Sequence, residues 1–122
     1  MKKVLLVDDS ATMLMSMEAV LKRAGLDVAK AMNGMQALQT IPKFKPDLMI
    51  TDLNMPGMDG ITLIREAKKL PMMRFKPILM LTTESQQSKR SEAKAAGACG
   101  WLVKPVKPEQ LLAVVKQVVP GA

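Results

Sequence analysis

Aspartates at 8, 9 and 52, a threonine at 82 and a lysine at 104 are the residues of this chain that together amount to a reactive set. Each stands at the end of a short apolar run. Val4–Val7 leads into Asp8-Asp9, Leu48–Ile50 passes through Thr51 into Asp52, Ile78–Leu81 ends in Thr82, and Trp101–Val103 is followed by Lys104. Runs this short, bounded by polar or turn residues, read as buried strands. Parallel strands would then carry three carboxylates, a hydroxyl and an ammonium to one sheet edge, where open α/β sheets bind ligands. Carboxylates about 4 Å apart repel by roughly 4 kcal/mol at an effective dielectric near 20. Lys104 alone cannot neutralise three of them, so the set calls for a hard divalent cation. An all-oxygen site suits Mg²⁺, with Mn²⁺ as a substitute. The chain has no histidine and its one cysteine, Cys99, lies elsewhere, which argues against zinc or copper.

A carboxylate can act as nucleophile toward a phosphoryl group when a metal and fixed donors absorb the developing charge. Asp52 is the candidate nucleophile. It precedes Leu53-Asn54-Met55-Pro56-Gly57-Met58-Asp59-Gly60, a turn-rich loop able to curl around a cation. Asp8 and Asp9 would hold that cation, while Lys104 and Thr82 would donate to phosphoryl oxygens. Each residue also has a plainer role: Asp8 or Asp9 as a helix cap, Asp52 in a turn, Thr82 as a strand-end residue and Lys104 as a solvated charge. Their joint placement after four successive apolar runs is what the plainer roles do not explain.

The elements that must position these groups follow from the remaining pattern. A fifth run, Leu26–Ala31, is interrupted by Asp27 and Lys30, as expected of a half-exposed edge strand. Residues 11–24, 34–41, 60–69, 85–96 and 109–119 are predicted helices. In the first, Met13, Met17, Val20, Leu21 and Ala24 recur at helical spacing on the sheet-facing side, and Gly25 supplies a stop. Pro108 and Glu109 suit the opening turn of the last. Strand–helix alternation in 122 residues implies one α/β domain, a (βα)₅ sandwich with a mostly parallel sheet covered on both faces. The lone Cys99 points to a reducing compartment and to a packing role. The apolar stretch after Lys2-Lys3 is too short for a signal peptide or a membrane span, so a cytoplasmic protein is expected.

A formal net charge of +7 raises the question of a polyanionic partner. Lys22-Arg23, Lys43, Lys45, Lys68-Lys69, Arg74 and Lys76 fall at helix ends or just before strands, where cations complement the helix dipole. Lys2 and Lys3 open the first strand at that same pole. Only Phe44, Phe75 and Trp101 are aromatic, too few for a stacking platform, so nucleic acid is an unlikely partner. The twelve methionines mostly occupy core-facing or loop positions rather than forming a Met-rich groove.

The words VLLVDDS at 4–10, DLMITDLNMPGMDG at 47–60, ILMLTT at 78–83 and AKAAGACGWLVKP at 93–105 closely resemble the CheY-like receiver domains of bacterial two-component signalling. The resemblance runs through the whole chain, residues 1–122, in order and with family spacing. It implies a flavodoxin-like doubly wound fold with strand order 2-1-3-4-5. It further implies that Asp52 is the phosphoacceptor, that Asp9, Asp52 and the backbone carbonyl of Asn54 contact Mg²⁺, and that Asp8 acts mostly through water. Lys104 becomes the phosphoryl-binding lysine, before a cis Pro105, and Thr82 the hydroxyl that moves toward the new phosphate. Trp101 falls at the switch aromatic. Asn54 and Glu84 occupy the positions that modulate phosphate lifetime, as in chemotaxis receivers that lose phosphate quickly.

Val106 departs from the phenylalanine usual after Lys-Pro, which bears on the partner surface. Leu14 and Met15 replace residues more often polar; they either extend the core or mark a partner patch, and the patch is the favoured reading. No effector region follows the motifs before Ala122, so output is expected to pass to a separate protein through residues 85–116, biased by phosphorylation. The donor would be a phosphohistidine on a separate histidine kinase. Chemotaxis, with a flagellar motor switch as target and a phosphatase as possible further partner, is the leading role. A phosphorelay shuttle or phosphate sink is the alternative, and self-catalysed transfer and loss of phosphate would be its only enzymatic activity. From other classes come a haloacid-dehalogenase-like hydrolase, whose D-x-D pattern Asp8-Asp9-Ser10 lacks, and a pseudo-receiver that never accepts phosphate, which the complete acidic set opposes.

Overall fold

A computed structural model describes residues 1–122. Strands β1 (Lys3–Val7), β2 (Asp27–Ala31), β3 (Leu48–Thr51), β4 (Ile78–Thr82) and β5 (Gly100–Val103) alternate with helices α1 (Ala11–Arg23), α2 (Gly34–Phe44), α3 (Gly60–Lys68), α4 (Gln87–Ala96) and α5 (Pro108–Val118). The strands form one parallel sheet in the order β2-β1-β3-β4-β5, the doubly wound arrangement expected. Register decides where the chemistry goes. Val7 pairs with Thr51, so Asp8 and Asp52 leave neighbouring strands side by side, one residue beyond that pair.

Strand side chains alternate between faces, and the core divides accordingly. Leu5, Val7, Met49 and Met80 pack with Ala37, Ile41, Ile61, Leu63, Ile64 and Ala93 from α2, α3 and α4. Val4, Leu6, Ile50 and Leu81 pack on the other face with Leu14, Met17 and Leu21 of α1 and Leu111 and Val115 of α5. Burying one such Leu or Ile side chain contributes roughly 1.5–3 kcal/mol. β1, β3 and β4 are covered on both faces, which is why their sequences are continuously apolar.

Several local expectations change. Leu14 is 3% exposed and belongs to the α1/α5 core, so it extends the core and is no partner patch; Met15, on the other side of the helix, is 65% exposed. Ala24 is the exposed C-cap residue of α1 rather than a core position. β5 is the second edge strand and only half-buried, with Val103 exposed, because nothing pairs beyond it. α2 continues through Pro42 to Phe44: proline removes one N–H, but Ile41 stays fully buried and Lys45, in the left-handed region, closes the helix by donating to the Ile41 carbonyl. A 3-10 turn at Pro71–Met73, not anticipated, seats Met73 in the core before β4.

Three helices begin on a side-chain cap: Ser10, Asn33 and Asp59 accept from the amides of Met13, Gln36 and Thr62. After Asp59 the chain turns back onto the end of β3, and the Gly60 amide donates to the Leu53 carbonyl at 2.8 Å. A Cβ at Gly60 would collide with the Asp52 carbonyl oxygen. Because the obstructing atom is backbone, it cannot rotate away. Gly60→Ala should therefore destabilise the fold by about 3 kcal/mol, the upper end of overpacking costs, measured by urea unfolding. A change under about 0.5 kcal/mol, the range of ordinary surface substitutions, would refute this tight approach.

Candidate functional site

Asp8 and Asp52 follow β1 and β3 directly, and Lys104 follows β5. Main-chain hydrogen bonds continue past each strand end: the Asp8 amide donates to the Ala31 carbonyl, Asp52 to Val7 and Lys104 to Thr82, at 2.8–3.1 Å. The three side chains thus project from backbone fixed on one neighbour. Asp8 and Asp52 are buried, at 1% and 9% exposure, while Asp9 is exposed at the rim.

Lys104 Nζ donates to Asp8 Oδ2 at 2.6 Å and to Asp52 Oδ2 at 3.3 Å. Each carboxylate uses its second oxygen on a backbone amide: Asp8 Oδ1 accepts from Ser10 at 2.9 Å and Asp52 Oδ1 from Leu53 at 2.7 Å. Burial pulls the Lys104 ammonium toward its neutral form, but the hydrogen bond to Asp8 and the charges of Asp52 and Asp8 outweigh it and hold its pKa above the ordinary lysine value. Lys104 is therefore a cation at neutral pH.

Carboxylate oxygens of Asp8, Asp9 and Asp52 lie within 4.8 Å of one another. One ammonium serves two of them, and Asp9 has no cationic or hydrogen-bonding partner. The cluster keeps surplus negative charge in a pocket of hard oxygen donors, a set that fits a hard divalent cation. Asn54, two residues past Asp52, is exposed on the loop that closes this side.

Thr82 is fully buried at the end of β4, and its Oγ1 accepts the Glu84 amide at 3.3 Å. The Glu84 carbonyl in turn accepts the indole N–H of Trp101 at 3.0 Å. Trp101, half-buried on β5, also lines an open groove of about 510 Å³ with Arg90, Lys94 and Cys99. Asp8, Asp9, Asp52, Thr82 and Lys104 thus gather at the carboxyl ends of the strands, with Asn54 and Glu84 two residues beyond Asp52 and Thr82, whereas Trp101 lies within β5 and is joined to them through Glu84. The bond between Lys104 and Pro105 is cis. Neither Asp8 nor Asp9 caps α1; Ser10 does. Cys99 is exposed rather than packed, because it falls in the surface turn between α4 and β5.

Sequence reasoning passed over three supports. Ser10 caps α1 and donates its own amide to Asp8; a serine just before a helical period is a legible cap signal. Thr51 Oγ1 donates to the Asp52 carbonyl at 2.9 Å inside the core. Gly60 abuts the Asp52–Leu53 backbone, and only its place at the end of a turn-rich loop hinted at that.

The family model of the response regulator receiver domain matches residues 4–116. The chain is 34% identical to Protein PilH of Pseudomonas aeruginosa over 121 residues, covering 99% of this chain and 100% of that protein. It is 36% identical to Chemotaxis protein CheY of Bacillus subtilis over 116 residues, covering 94% of this chain and 95% of the relative. Among solved structures, the chemotaxis protein CheY4 of Vibrio cholerae superposes with a TM-score of 0.94 at 43% identity, covering 97% of this chain and 98% of that one. A family match over nearly the whole length, the strand order and the acidic cluster at the strand ends lead to one assignment: the chain belongs to the response regulator receiver domains of two-component signalling.

Proposed function

We propose that the chain is a phosphorylation switch whose acceptor is Asp52, and that it takes its phosphoryl group from a phosphohistidine of a separate histidine kinase. The observation that carries this reading is the Lys104 ammonium bonded to both Asp8 and Asp52 beside the unpaired Asp9. Asp52 supplies the attacking oxygen. As its Oδ–P bond forms, the donor's P–N bond breaks and the imidazole leaves with its electron pair. Lys104 and the Thr82 hydroxyl offer donors to the phosphoryl oxygens, and Leu53 N–H orients the acceptor carboxylate. Asp8, Asp9, Asp52 and the Asn54 carbonyl are the groups to hold Mg²⁺, or Mn²⁺ in its place. The bound cation would supply charge neutralisation at the phosphoryl oxygens.

Output runs through Thr82. A phosphoryl group on Asp52 accepts from the Thr82 hydroxyl and draws it inward; the same oxygen accepts the Glu84 amide, so Glu84 is pulled with it, and the Glu84 carbonyl holds the Trp101 indole. A shift of Thr82 thereby reaches the surface of residues 85–116, which includes the groove beside Trp101. Glu84 and Asn54, flanking the site, modulate phosphate lifetime. The relatives named for chemotaxis support a chemotaxis role; in that role the target is a protein of the flagellar motor switch and the compartment is the cytoplasm. No helix is long and apolar enough to cross a membrane.

Incubation with a small acyl phosphate and Mg²⁺ should add one phosphoryl group at Asp52, located by peptide mass spectrometry, and Asp52→Asn should abolish it. Acid-stable label on serine or threonine alone would overturn the assignment.

Asp9→Ala should weaken Mg²⁺ binding about tenfold or more, because it removes a charged ligand. Thr82→Ala removes only a neutral hydroxyl and should leave that affinity within about twofold. Isothermal titration distinguishes these roles, and equal losses would contradict them.

Beryllium fluoride with Mg²⁺, a mimic of the aspartyl phosphate, should change the emission of Trp101, the single tryptophan. The response should vanish in Asp52→Asn and shrink in Thr82→Ala. Constant emission and quencher accessibility with the mimic demonstrably bound would rule out coupling through Trp101.

A further inference from the structure

The end of the molecule opposite the acidic site is strongly basic. Because every strand is parallel, all helix C-termini and all helix-to-strand connections meet there. Thirteen of the eighteen Lys and Arg side chains lie in last helical turns, in those connections or at strand starts, against three of the eleven carboxylates, Asp27, Asp47 and Glu66. Five helix C-termini amount to about two and a half negative charges. Dipole complementation therefore accounts for only a minor part of the excess.

Some of these cations are committed locally: Lys22 to Glu18, Lys69 to Glu66 and Lys76 to Asp47. Lys45 and Arg74 have no carboxylate partner and are exposed. Next to Arg74 stands Phe75, with 90% of its surface in water, and Met1 at the same end is equally bare. These are the two most exposed large apolar residues of the chain. The Arg74 guanidinium lies over the Phe75 ring, 5.8 Å from its centroid, and still leaves 90% of the residue in water. Neither core packing nor helix capping explains an aromatic ring offered to solvent between two cations.

We infer that this basic pole is a peripheral docking surface for an anionic lipid bilayer, with Phe75 entering the headgroup region and Lys45 and Arg74 meeting lipid phosphates. An exposed apolar tip beside a cation, at an end of the molecule rich in cations, has the chemistry of an interfacial anchor. Nucleic acid is less well matched. Phe44, the other aromatic at this end, is partly buried beneath Lys3, whose Nζ lies 5.5 Å from its ring centroid, so no row of faces is available for stacking. The acidic edge lies a strand's length away, roughly 17 Å, beyond a Debye length of about 8 Å. It neither opposes such docking nor is covered by it.

Co-sedimentation of the full chain with vesicles tests this. Vesicles of phosphatidylcholine with 30 mol% phosphatidylglycerol should retain the protein at about 0.1 M salt, and pure phosphatidylcholine vesicles should not. Neutralising two cations in Lys45→Gln/Arg74→Gln should weaken binding about 25-fold, from about fivefold per cation near an anionic surface. Phe75→Ser, which leaves the charge intact, should weaken it about fivefold or more. All three substituted side chains are exposed, and circular dichroism verifies folding. Equal binding to neutral vesicles, or anionic binding unchanged in either variant, overturns the proposal. Tighter binding to a DNA duplex than to the anionic vesicles, indifferent to Phe75→Ser, also overturns it and makes the pole a nucleic-acid surface.

Discussion

A single ammonium holds the acidic edge together. Lys104 reaches Asp8 across 96 residues of sequence and Asp52 across 52. Without it, two buried carboxylates would face each other in a medium that screens them poorly, and removing one partner of a buried pair costs about 3–5 kcal/mol. The arrangement exists only if β1 and β3 are adjacent in the right register and the end of β5 can bend a lysine back over them. The sheet order meets that requirement. Taking these charges out of water is unfavourable, and the continuous apolar faces of β1, β3 and β4 offset it from both sides.

The parallel topology also gives the molecule two electrical ends. Helix N-termini point at the acidic edge, and there the first amides of the strand-to-helix turns, Ser10 and Leu53, serve as donors to carboxylates. Helix C-termini and most cations gather at the other end. One geometric fact, that every crossover runs the same way, thus sends every helix N-terminus toward the carboxylate cluster and every helix C-terminus to the end where most cations lie.

Between the site and the α4/β5 face, the connection is short. Thr82 and Trp101 share Glu84, each through one of its backbone groups. A displacement at the first therefore costs a hydrogen bond unless the second adjusts. The β4–α4 segment carrying Glu84 has few other anchors, since Ser85, Gln86 and Gln87 are exposed and α4 has no side-chain cap. A segment held this lightly suits a two-state element.

What the sequence by itself determined is whatever depends on neighbours along the chain. Asp8, Asp52, Thr82 and Lys104 stand at the ends of strands, and their apolar runs, with the helical periods between them, dictate a (βα)₅ chain and carry Asp8, Asp9 and Asp52 to one sheet edge. Lateral packing decided the rest. Leu14 is core because α5 lies against α1, a pairing no local period encodes. β5 carries an apolar run yet lies at an edge, and Cys99 is exposed although small residues surround it, since both depend on what is absent alongside them. Gly60 matters through the Asp52 backbone it touches, and Lys104 through two carboxylates on other strands. Periodicity and turn chemistry act over a few residues and survive in the one-dimensional string; register, burial and charge pairing are interactions between distant segments, and only the folded chain defines them.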